Sequence, residues 1–298
     1  MAADSCPLAV DEHTFAVDQV RLGDHAFAHY SNDDLRWEAA AVFAVQGLAL
    51  GEKVVIIAGS AEPVAQARRH LAANTGPRES ALASGQLVFT TMQAFVGSGH
   101  AFTAEWQLRC IREEKKRARR AGFAGLRAFI DMTWVNAQGI DHAAIMHRET
   151  HADEVFVDGR YAEICSYDRR VFPPEVVEAM RAEHPVALLE RPGDLSAFSS
   201  ADGVHFVGDA DLATREFFRT TLVTALSGVP DRRSVLVDLS RLCFLSAGCA
   251  GDLLGLALLA GDSERVVVRC SPHHARTLQR LGAAQISRLV LAELTGGR

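Results

Sequence analysis

Histidines at helical spacing are the first residues in this chain whose types and positions could do chemistry. His147 and His151 stand four residues apart, so both rings can lie on one side of a helix, a spacing that metal ligands use. A zinc protease needs a glutamate directly after the first histidine, but Arg148 stands there, and Glu149 points away from the shared side. His142 adds a third ring nearby. The alternative is a solvated helix face, and we predict no metal site and no cofactor.

A second chemical candidate is Cys165, one of six cysteines scattered along the chain. Arg169 and Arg170 lie close to it in sequence and could lower the pKa of its thiol, which would suit a redox sensor. The alternative is a buried, inert cysteine. No two cysteines form a CxxC pair, so neither a zinc ribbon nor a disulfide framework is indicated. No nucleophile–base or acid–base pair can be located either, and we predict that the protein is not an enzyme.

Short apolar runs alternate with helical stretches between residues 24 and 185, and these elements must position any chemistry. The patterns predict strands at 26–30, 53–59, 86–91 and 126–134 and an extended segment at 154–167. They predict helices at 35–50, 62–74, 105–121, 140–151 and 174–183. Strands separated by helices of this length indicate right-handed crossovers and a mainly parallel sheet. Residues 190–203, rich in Ser, Gly, Pro and Asp, are predicted to be an interdomain linker.

The order of elements from residue 24 to 134 resembles RecA-like ATPase domains, in which a strand enters a glycine-rich phosphate-binding loop. Residues 31–37, SNDDLRW, would occupy the position of that loop. They contain no glycine for close backbone approach to phosphates and no lysine to neutralise them. Asp33 and Asp34 would repel a triphosphate. Conventional ATP hydrolysis is therefore not expected.

Residues 24–185 are more closely similar to the MEDS domain, a sensory domain of bacterial signalling proteins. The resemblance is carried by DHAFAHYSNDD, GLALGEKVVIIAG, GLRAFIDMTW and EICSYDRRVFPPEVVEAMRAEHP. It covers over half of the chain and implies a ligand-sensing relative of RecA-like domains, with the ligand not specified.

A sensor pocket is expected where the loops converge at the carboxyl ends of parallel strands. The candidates for ligand binding there are His25, Tyr30, Asp33, Asp131, Trp134, Cys165, Tyr167 and Asp168. A carboxylate beside an indole, as in Asp131 and Trp134, can orient a polar ligand while the ring supplies stacking area.

Each candidate also has a purely structural interpretation. Asp131 could cap the following helix, Trp134 could belong to the core, and His25 could be a structural histidine. Tyr167 and Asp168 could form a turn in which the aspartate pairs with one of the two arginines that follow. The sequence leaves these alternatives open.

The last third of the chain resembles the STAS domain of anti-sigma factor antagonists. The resemblance is carried by VHFVGDADLATREFFRTTLVTALSG, RRSVLVDLSRLCFLSAGCAGDLLGLALLA and RVVVRCSPHHARTLQRLGAAQISRLVL. A short strand, 235–239, is predicted to lead through a small-residue turn, 246–249, into an apolar helix. In that family the turn holds a serine that a kinase-type anti-sigma factor phosphorylates, at a helix N-terminus where the dipole favours a phosphate.

The register of this turn leaves the phosphorylation site doubtful. An ungapped alignment places Ser246 at the family's aspartate and Ala247 at the phosphoacceptor, so the switch would be degenerate. A one-residue deletion would instead place Ser246 at the phosphoserine. Ser240 is a weaker third candidate.

Composition excludes several classes of partner. The net charge of −6 and the pI near 6.1 give no reason to expect nucleic acid or an anionic membrane surface. The acidic N-terminus is not a signal peptide, and no run offers the roughly 18 apolar residues of a membrane helix. Scattered thiols suit a reducing compartment, so we predict a cytoplasmic protein.

These observations predict an α/β protein with two domains: a RecA-like, mainly parallel sheet flanked by helices over 20–195, and a STAS-like domain with a mixed sheet over 203–298. The predicted function is a bacterial signalling regulator whose sensor domain is coupled to a module that binds an anti-sigma factor or a related regulatory protein. The alternative is a small-molecule or nucleotide sensor in which the STAS-like module only mediates a homodimer.

Overall fold

The chain divides into two compact units. The computed structural model describes residues 10–74, 78–97, 102–227, 234–259 and 265–294. Within these residues, the larger unit is Val17–Pro192 and the smaller unit comprises parts of Met1–Ala16 and Gly193–Arg298. The first strand, β1 (Thr14–Phe15), belongs to the segment that goes with the smaller unit.

The larger unit is built on a parallel sheet. Its strands are β2 (His25–Tyr30), β3 (Lys53–Ala58), β4 (Leu87–Thr91), β5 (Leu126–Asp131), β6 (Tyr161–Asp168) and β7 (Val186–Leu188). Within this unit they run in the order β7-β2-β6-β5-β3-β4, and every adjacent pair is parallel. Strands β2, β5 and β6 are buried at every residue, because both faces of a parallel sheet are covered.

Helices cover the two faces of this sheet. They are α1 (Asp33–Ala49), α2 (Ala61–Asn74), α3 (Arg78–Ala83), α4 (Met92–Val96), α5 (Ala104–Arg120), α6 (Trp134–Ala137), α7 (His142–Thr150) and α8 (Pro174–Glu183). Side chains alternate between the faces of a strand. On β2, Tyr30 therefore meets Arg36 of α1, whereas His25 meets Glu149 of α7 on the opposite face.

The smaller unit carries a mixed sheet. This sheet consists of β8 (Leu195–Ser199), β9 (Gly203–Ala210), β10 (Ser234–Leu245), β11 (Arg265–Cys270) and β12 (Leu289–Glu293), in the order β12-β11-β10-β9-β8. Only β8 pairs antiparallel, with β9, among the pairs described. Its helices are α9 (Arg215–Ser227), α10 (Ala247–Leu259) and α11 (Pro272–Arg280), which share one apolar core with the sheet. The predicted fold class is confirmed for both units.

Four elements differ from the sequence-based prediction. The strand predicted over 126–134 ends at Asp131, and α6 begins at Trp134. The segment predicted to be extended from 154 begins in a short 3-10 helix, Asp153–Val155, and continues as a turn up to residue 160, where Gly159 has a φ of +61° and Val157 is 85% exposed. The predicted linker contains β8, because Leu195 and Ala197 alternate towards the core among residues typical of loops. Strand β10 runs on to Leu245, with register shifts where β9 pairs with it.

None of the described helices is long and apolar enough to cross a membrane.

Candidate functional site

The structure separates the predicted ligand-binding residues into two groups on opposite faces of the larger sheet. The first group contains Tyr30, Asp33, Asp131 and Asp168, at the carboxyl ends of their strands or just beyond. The second contains His25, Cys165 and Tyr167 and lies beneath α7 and α8. Trp134 belongs to neither: it is fully buried and its ring packs on Phe102 at 4.9 Å.

Asp131 is the centre of the first group. Its Oδ2 accepts a hydrogen bond from Nη1 of Arg36 at 2.7 Å, and its Oδ1 accepts one from the Tyr30 hydroxyl at 3.2 Å. The same Arg36 nitrogen donates to the Tyr30 oxygen, and its guanidinium lies 4.2 Å from the ring centroid of Trp37. Burial, followed by the charge of Asp131, raises the pKa of Tyr30, so the phenol remains a donor.

The remaining lone pairs of Asp131 are also used inside the protein. Thr133 donates to Oδ1 from its hydroxyl at 2.8 Å and from its backbone N–H at 3.1 Å. The backbone N–H of Gly59 donates to Oδ2 at 3.3 Å. A buried carboxylate that accepts this many hydrogen bonds is a structural centre joining β2, β3, β5 and α1. Its carboxylate oxygens have little hydrogen-bonding capacity left for a ligand in this arrangement.

Asp33 and Asp168 form an acidic rim that Arg170 bridges. Arg170 donates to Oδ1 of Asp33 at 2.6 Å and to the two oxygens of Asp168 at 2.7–2.9 Å. Burial alone would raise the pKa of Asp33, but the hydrogen bond from Arg170 and the charge of Arg36 lower it. The sequence offered Arg169 or Arg170 as a partner of Asp168, and in the structure Arg170 forms this pair.

The N-terminus of α1 does not fit a triphosphate. The side chain of Asn32 already caps it by accepting from the backbone N–H of Leu35 at 3.0 Å. Asp33 and Asp34 place two carboxylates in the first turn, where an anion would otherwise benefit from the helix dipole. The first group is therefore not suited to binding phosphates.

The second group is larger than the sequence predicted. His25 Nε2 lies 3.1 Å from Oε2 of Glu149 and 3.8 Å from Sγ of Cys165. Nε2 of His184, the residue after α8, lies 3.7 Å from the same glutamate oxygen. All four residues are buried, and one potential ligand atom from each lies within 4.8 Å of the others.

Arg148 and Glu163 complete the charges around this second group. Nη1 of Arg148 lies 2.7 Å from Glu149, and its Nη2 lies 2.5 Å from Glu163. The Tyr167 hydroxyl donates to Glu149 at 3.2 Å, and the Tyr161 hydroxyl donates to Glu163. Each carboxylate is thus held by a guanidinium and a phenol.

These charges determine the protonation states in the second group. Burial opposes ionisation of Glu149, but Arg148 and His184 outweigh it and hold its pKa well below the usual value. The pKa of Glu163 is lowered as well, with Arg148 outweighing burial. Burial and then Glu149 raise the pKa of Cys165, which does not favour a reactive thiolate in the absence of a cation.

Sequence reasoning missed Glu149, His184, Arg148 and Glu163. A signal was present on α7: Ile145, Arg148, Glu149 and Ala152 follow the spacing of a buried helix face, so two charged residues occupy core positions. His147 and His151, which the spacing did single out, are exposed, with ring centroids 4.1 Å apart.

In the smaller unit, Ser246 directly precedes α10 and its hydroxyl accepts a hydrogen bond from the backbone N–H of Cys249 at 3.2 Å. This is the geometry of a helix N-cap. Ser246 is partly exposed and Ala247 is exposed.

Comparisons with known proteins identify the larger unit. No curated protein matches the chain. One similar solved structure is flagellar accessory protein FlaH from Methanocaldococcus jannaschii, with 9% identity and a TM-score of 0.37; the match covers 63% of this chain and 77% of that chain. Another is a KaiC-like protein from Pyrococcus horikoshii OT3, with 11% identity and a TM-score of 0.41; the match covers 66% of this chain and 86% of that chain. Residues 24–185 match the family model MEDS, MEthanogen/methylotroph, DcmR Sensory domain. Since this match spans more than half of the chain, the protein belongs to the MEDS family.

Proposed function

We propose that the protein is a bacterial signalling regulator, in which the MEDS domain senses a small molecule and the smaller unit is a STAS-like module of anti-sigma factor antagonist type. Its output is binding to an anti-sigma factor or a related regulatory protein, and through it the control of transcription. The protein carries no catalysis of its own in this proposal.

Membership of a sensory-domain family supports the first half of the proposal. The lack of fit between the N-terminus of α1 and a triphosphate favours sensing over ATP hydrolysis. The element order of the smaller unit and its mixed sheet agree with what the STAS resemblance implies.

The observation that carries the second half is the outer face of α10. Ala247, Gly251, Gly255 and Leu258 recur at helical spacing along a strip of α10 that contains no buried and no polar residue, beside Asp252, which pairs with Arg215. An outward helix face normally carries polar side chains. A Cβ added at Gly251 or Gly255 would meet no atom within 4 Å, so these positions leave room for a partner to approach the helix backbone closely.

The test uses a substitution that should not harm the fold. Glycine in a helix interior is about 0.5–1 kcal/mol less favourable than alanine, and lysine is a good helix former. Gly251→Lys should therefore preserve or stabilise α10 while placing a long charged side chain on the proposed surface. Binding of purified kinase-type anti-sigma factors from the same genome is measured by isothermal titration calorimetry with the full-length chain.

The control is His273→Lys, which adds the same charge on an exposed position of α11. We expect the wild type and the control to bind one of the anti-sigma factors and Gly251→Lys to bind at least about tenfold more weakly, a loss of about 1.4 kcal/mol. Absence of binding to every such factor contradicts the proposal. A wild-type dimer that Gly251→Lys converts to a monomer, without any anti-sigma binding, would instead support the dimerisation alternative.

A further inference from the structure

Four side chains with metal-binding atoms converge inside the larger unit from four different elements. His25 begins β2, Glu149 lies in α7, Cys165 lies in β6 and His184 follows α8. All four are at least 94% buried. The exposed His147 and His151 take no part in this cluster.

The separations match a tetrahedral zinc site. Zinc bonds of about 2.0–2.3 Å to nitrogen, oxygen and sulfur place neighbouring ligand atoms roughly 3.3–3.8 Å apart. Here the nitrogen of His25 lies 3.1 Å from the Glu149 oxygen and 3.8 Å from the Cys165 sulfur, and the nitrogen of His184 lies 3.7 Å from that oxygen. The remaining pairs stay within 4.8 Å, so small side-chain adjustments would complete the site.

His184 supplies an independent argument for a cation. Its Nδ1–H donates to the backbone carbonyl oxygen of Met180 at 2.6 Å, and this hydrogen bond fixes the tautomer. The other nitrogen, Nε2, is buried without a hydrogen-bond partner among the described residues. Its lone pair faces a carboxylate oxygen of Glu149, and two electron pairs at this separation favour a cation between them.

The charges of the surroundings fit a divalent ion. Glu149 and Glu163 contribute two negative charges, and Arg148 contributes one positive charge. A divalent cation together with the Cys165 thiolate would bring this set to neutrality, with the thiol proton released to solvent. Arg148 opposes the cation, but its Nη1 lies 3.8 Å from the sulfur and would stabilise the thiolate.

The outer contacts resemble those that orient metal ligands. The Tyr167 hydroxyl donates to the second oxygen of Glu149, and the Met180 carbonyl holds His184. The ring of His25 stacks on Phe156 with centroids 4.8 Å apart, which keeps the cluster dry on that side.

We propose that His25, Glu149, Cys165 and His184 form a zinc site that ties β2, β6, α7 and the end of α8 together. Four protein ligands leave no open position, which is typical of structural or regulatory zinc rather than catalytic zinc. The inference goes beyond the proposed function and does not depend on it. It also departs from the expectation of no metal that the sequence supports.

The test uses cobalt as a spectroscopic substitute for zinc in the full-length protein. The protein is stripped with a chelator under reducing conditions and titrated with Co²⁺. We expect one cobalt per chain, intense visible bands typical of tetrahedral geometry, and a thiolate-to-cobalt charge-transfer band, all displaced by Zn²⁺. Cys165→Ser should lose the charge-transfer band, and His184→Gln should bind Co²⁺ at least about tenfold more weakly.

Two controls distinguish this site from surface binding. The double variant His147→Ala, His151→Ala removes an exposed histidine pair, and Cys110→Ser removes a partly buried thiol of the same unit. Both should keep the wild-type spectrum. A wild-type spectrum without a charge-transfer band overturns the proposal, whatever the folding of the variants, and so does a band that persists in Cys165→Ser or disappears in either control.

Discussion

Arg36 donates from Nη1 to Oδ2 of Asp131 at 2.7 Å, and this ion pair joins the start of α1 to the carboxyl end of β5. Both side chains are buried, so neither charge is compensated by water. The pair lies at the edge of the sheet at which a ligand pocket was expected. Because it is buried, we expect it to contribute to the stability of the larger unit.

Removing the charge of Asp131 should destabilise the larger unit strongly. Asp131→Asn removes the buried counter-charge of Arg36 and leaves it only the half-exposed Asp33, 3.3 Å from its Nη2; breaking a buried ion pair in this way typically costs about 3–5 kcal/mol. All three tryptophans of the chain lie in this unit, so its unfolding in urea can be followed by their fluorescence. The control is Asp33→Asn, whose side chain is 47% exposed and should cost less than about 1 kcal/mol. Equal effects of the two substitutions would contradict the structural role of Asp131.

Glycine-to-alanine substitutions should have opposite effects on stability in two helices, α1 and α10. A Cβ at Gly47 in α1 would lie 2.8 Å from Val54 and 2.9 Å from Arg127, whose guanidinium is held by Glu52. Gly47→Ala should therefore lower the free energy of unfolding of the larger unit by about 1–3 kcal/mol. At Gly255 in α10 the added methyl group meets open space, so Gly255→Ala should stabilise that helix by about 0.5–1 kcal/mol.

These two changes are measured separately, because they lie in different units. Tryptophan fluorescence in urea reports on Gly47→Ala, and hydrogen exchange of the α10 amides reports on Gly255→Ala. A stabilising effect at Gly47 would mean that α1 does not approach β3 and β5 as closely as described.

Acid should destabilise the larger unit partly through His29. Burial lowers its pKa from 6.5 to about 4, with Glu190 raising it and Arg169 and Arg181 lowering it further. The folded state therefore holds His29 neutral. Above pH 6.5 the ring is neutral in both the folded and the unfolded state, and the stability is fully present. As the pH falls towards 4, the unfolded state binds a proton that the folded state does not, and the free energy of unfolding decreases by an amount on the order of 3 kcal/mol.

His29→Gln should flatten this part of the stability profile. The free energy of unfolding is measured between pH 7 and pH 4 for the variant and for His147→Gln, which removes an exposed ring. A slope that is unchanged in His29→Gln would contradict the burial of a neutral histidine at this position.

Ser246 should stabilise α10 as its N-cap. Ser246→Ala removes the acceptor for the Cys249 amide and should cost about 1 kcal/mol, whereas Ser246→Asp retains an acceptor and should restore most of it. Hydrogen exchange of the first turn of α10 measures both. An unchanged exchange rate in Ser246→Ala would contradict the capping role of Ser246.

Removal of a metal should weaken the larger unit. A ligand that binds only the folded state stabilises it by mass action, so a strong chelator should lower the unfolding temperature of zinc-loaded protein. Cys165→Ser should respond less than the wild type, and Cys110→Ser should respond equally. Identical unfolding temperatures with and without the chelator would show that no metal contributes to folding.

The sequence was sufficient for most strands and helices of the larger unit. Apolar runs in 53–59 and 126–134 predicted buried strands, which the structure places at Lys53–Ala58 and Leu126–Asp131, and the helices between them indicated parallel pairing. It failed where local composition and tertiary burial disagree. Strand β8 has the composition of a linker, and only its pairing with β9 makes it a strand.

The candidate sites divide in the same way. The sequence alone determined that polar groups would end the strands and that no phosphate-binding loop follows β2, because both are properties of local residue order. Tertiary structure alone decided which groups meet. Because side chains alternate along β2, His25 and Tyr30 lie on opposite faces of the sheet. The chain crossovers then bring Glu149 and His184 to the face on which His25 lies. No spacing along the chain encodes that meeting, since its four residues come from four elements that are adjacent only after folding.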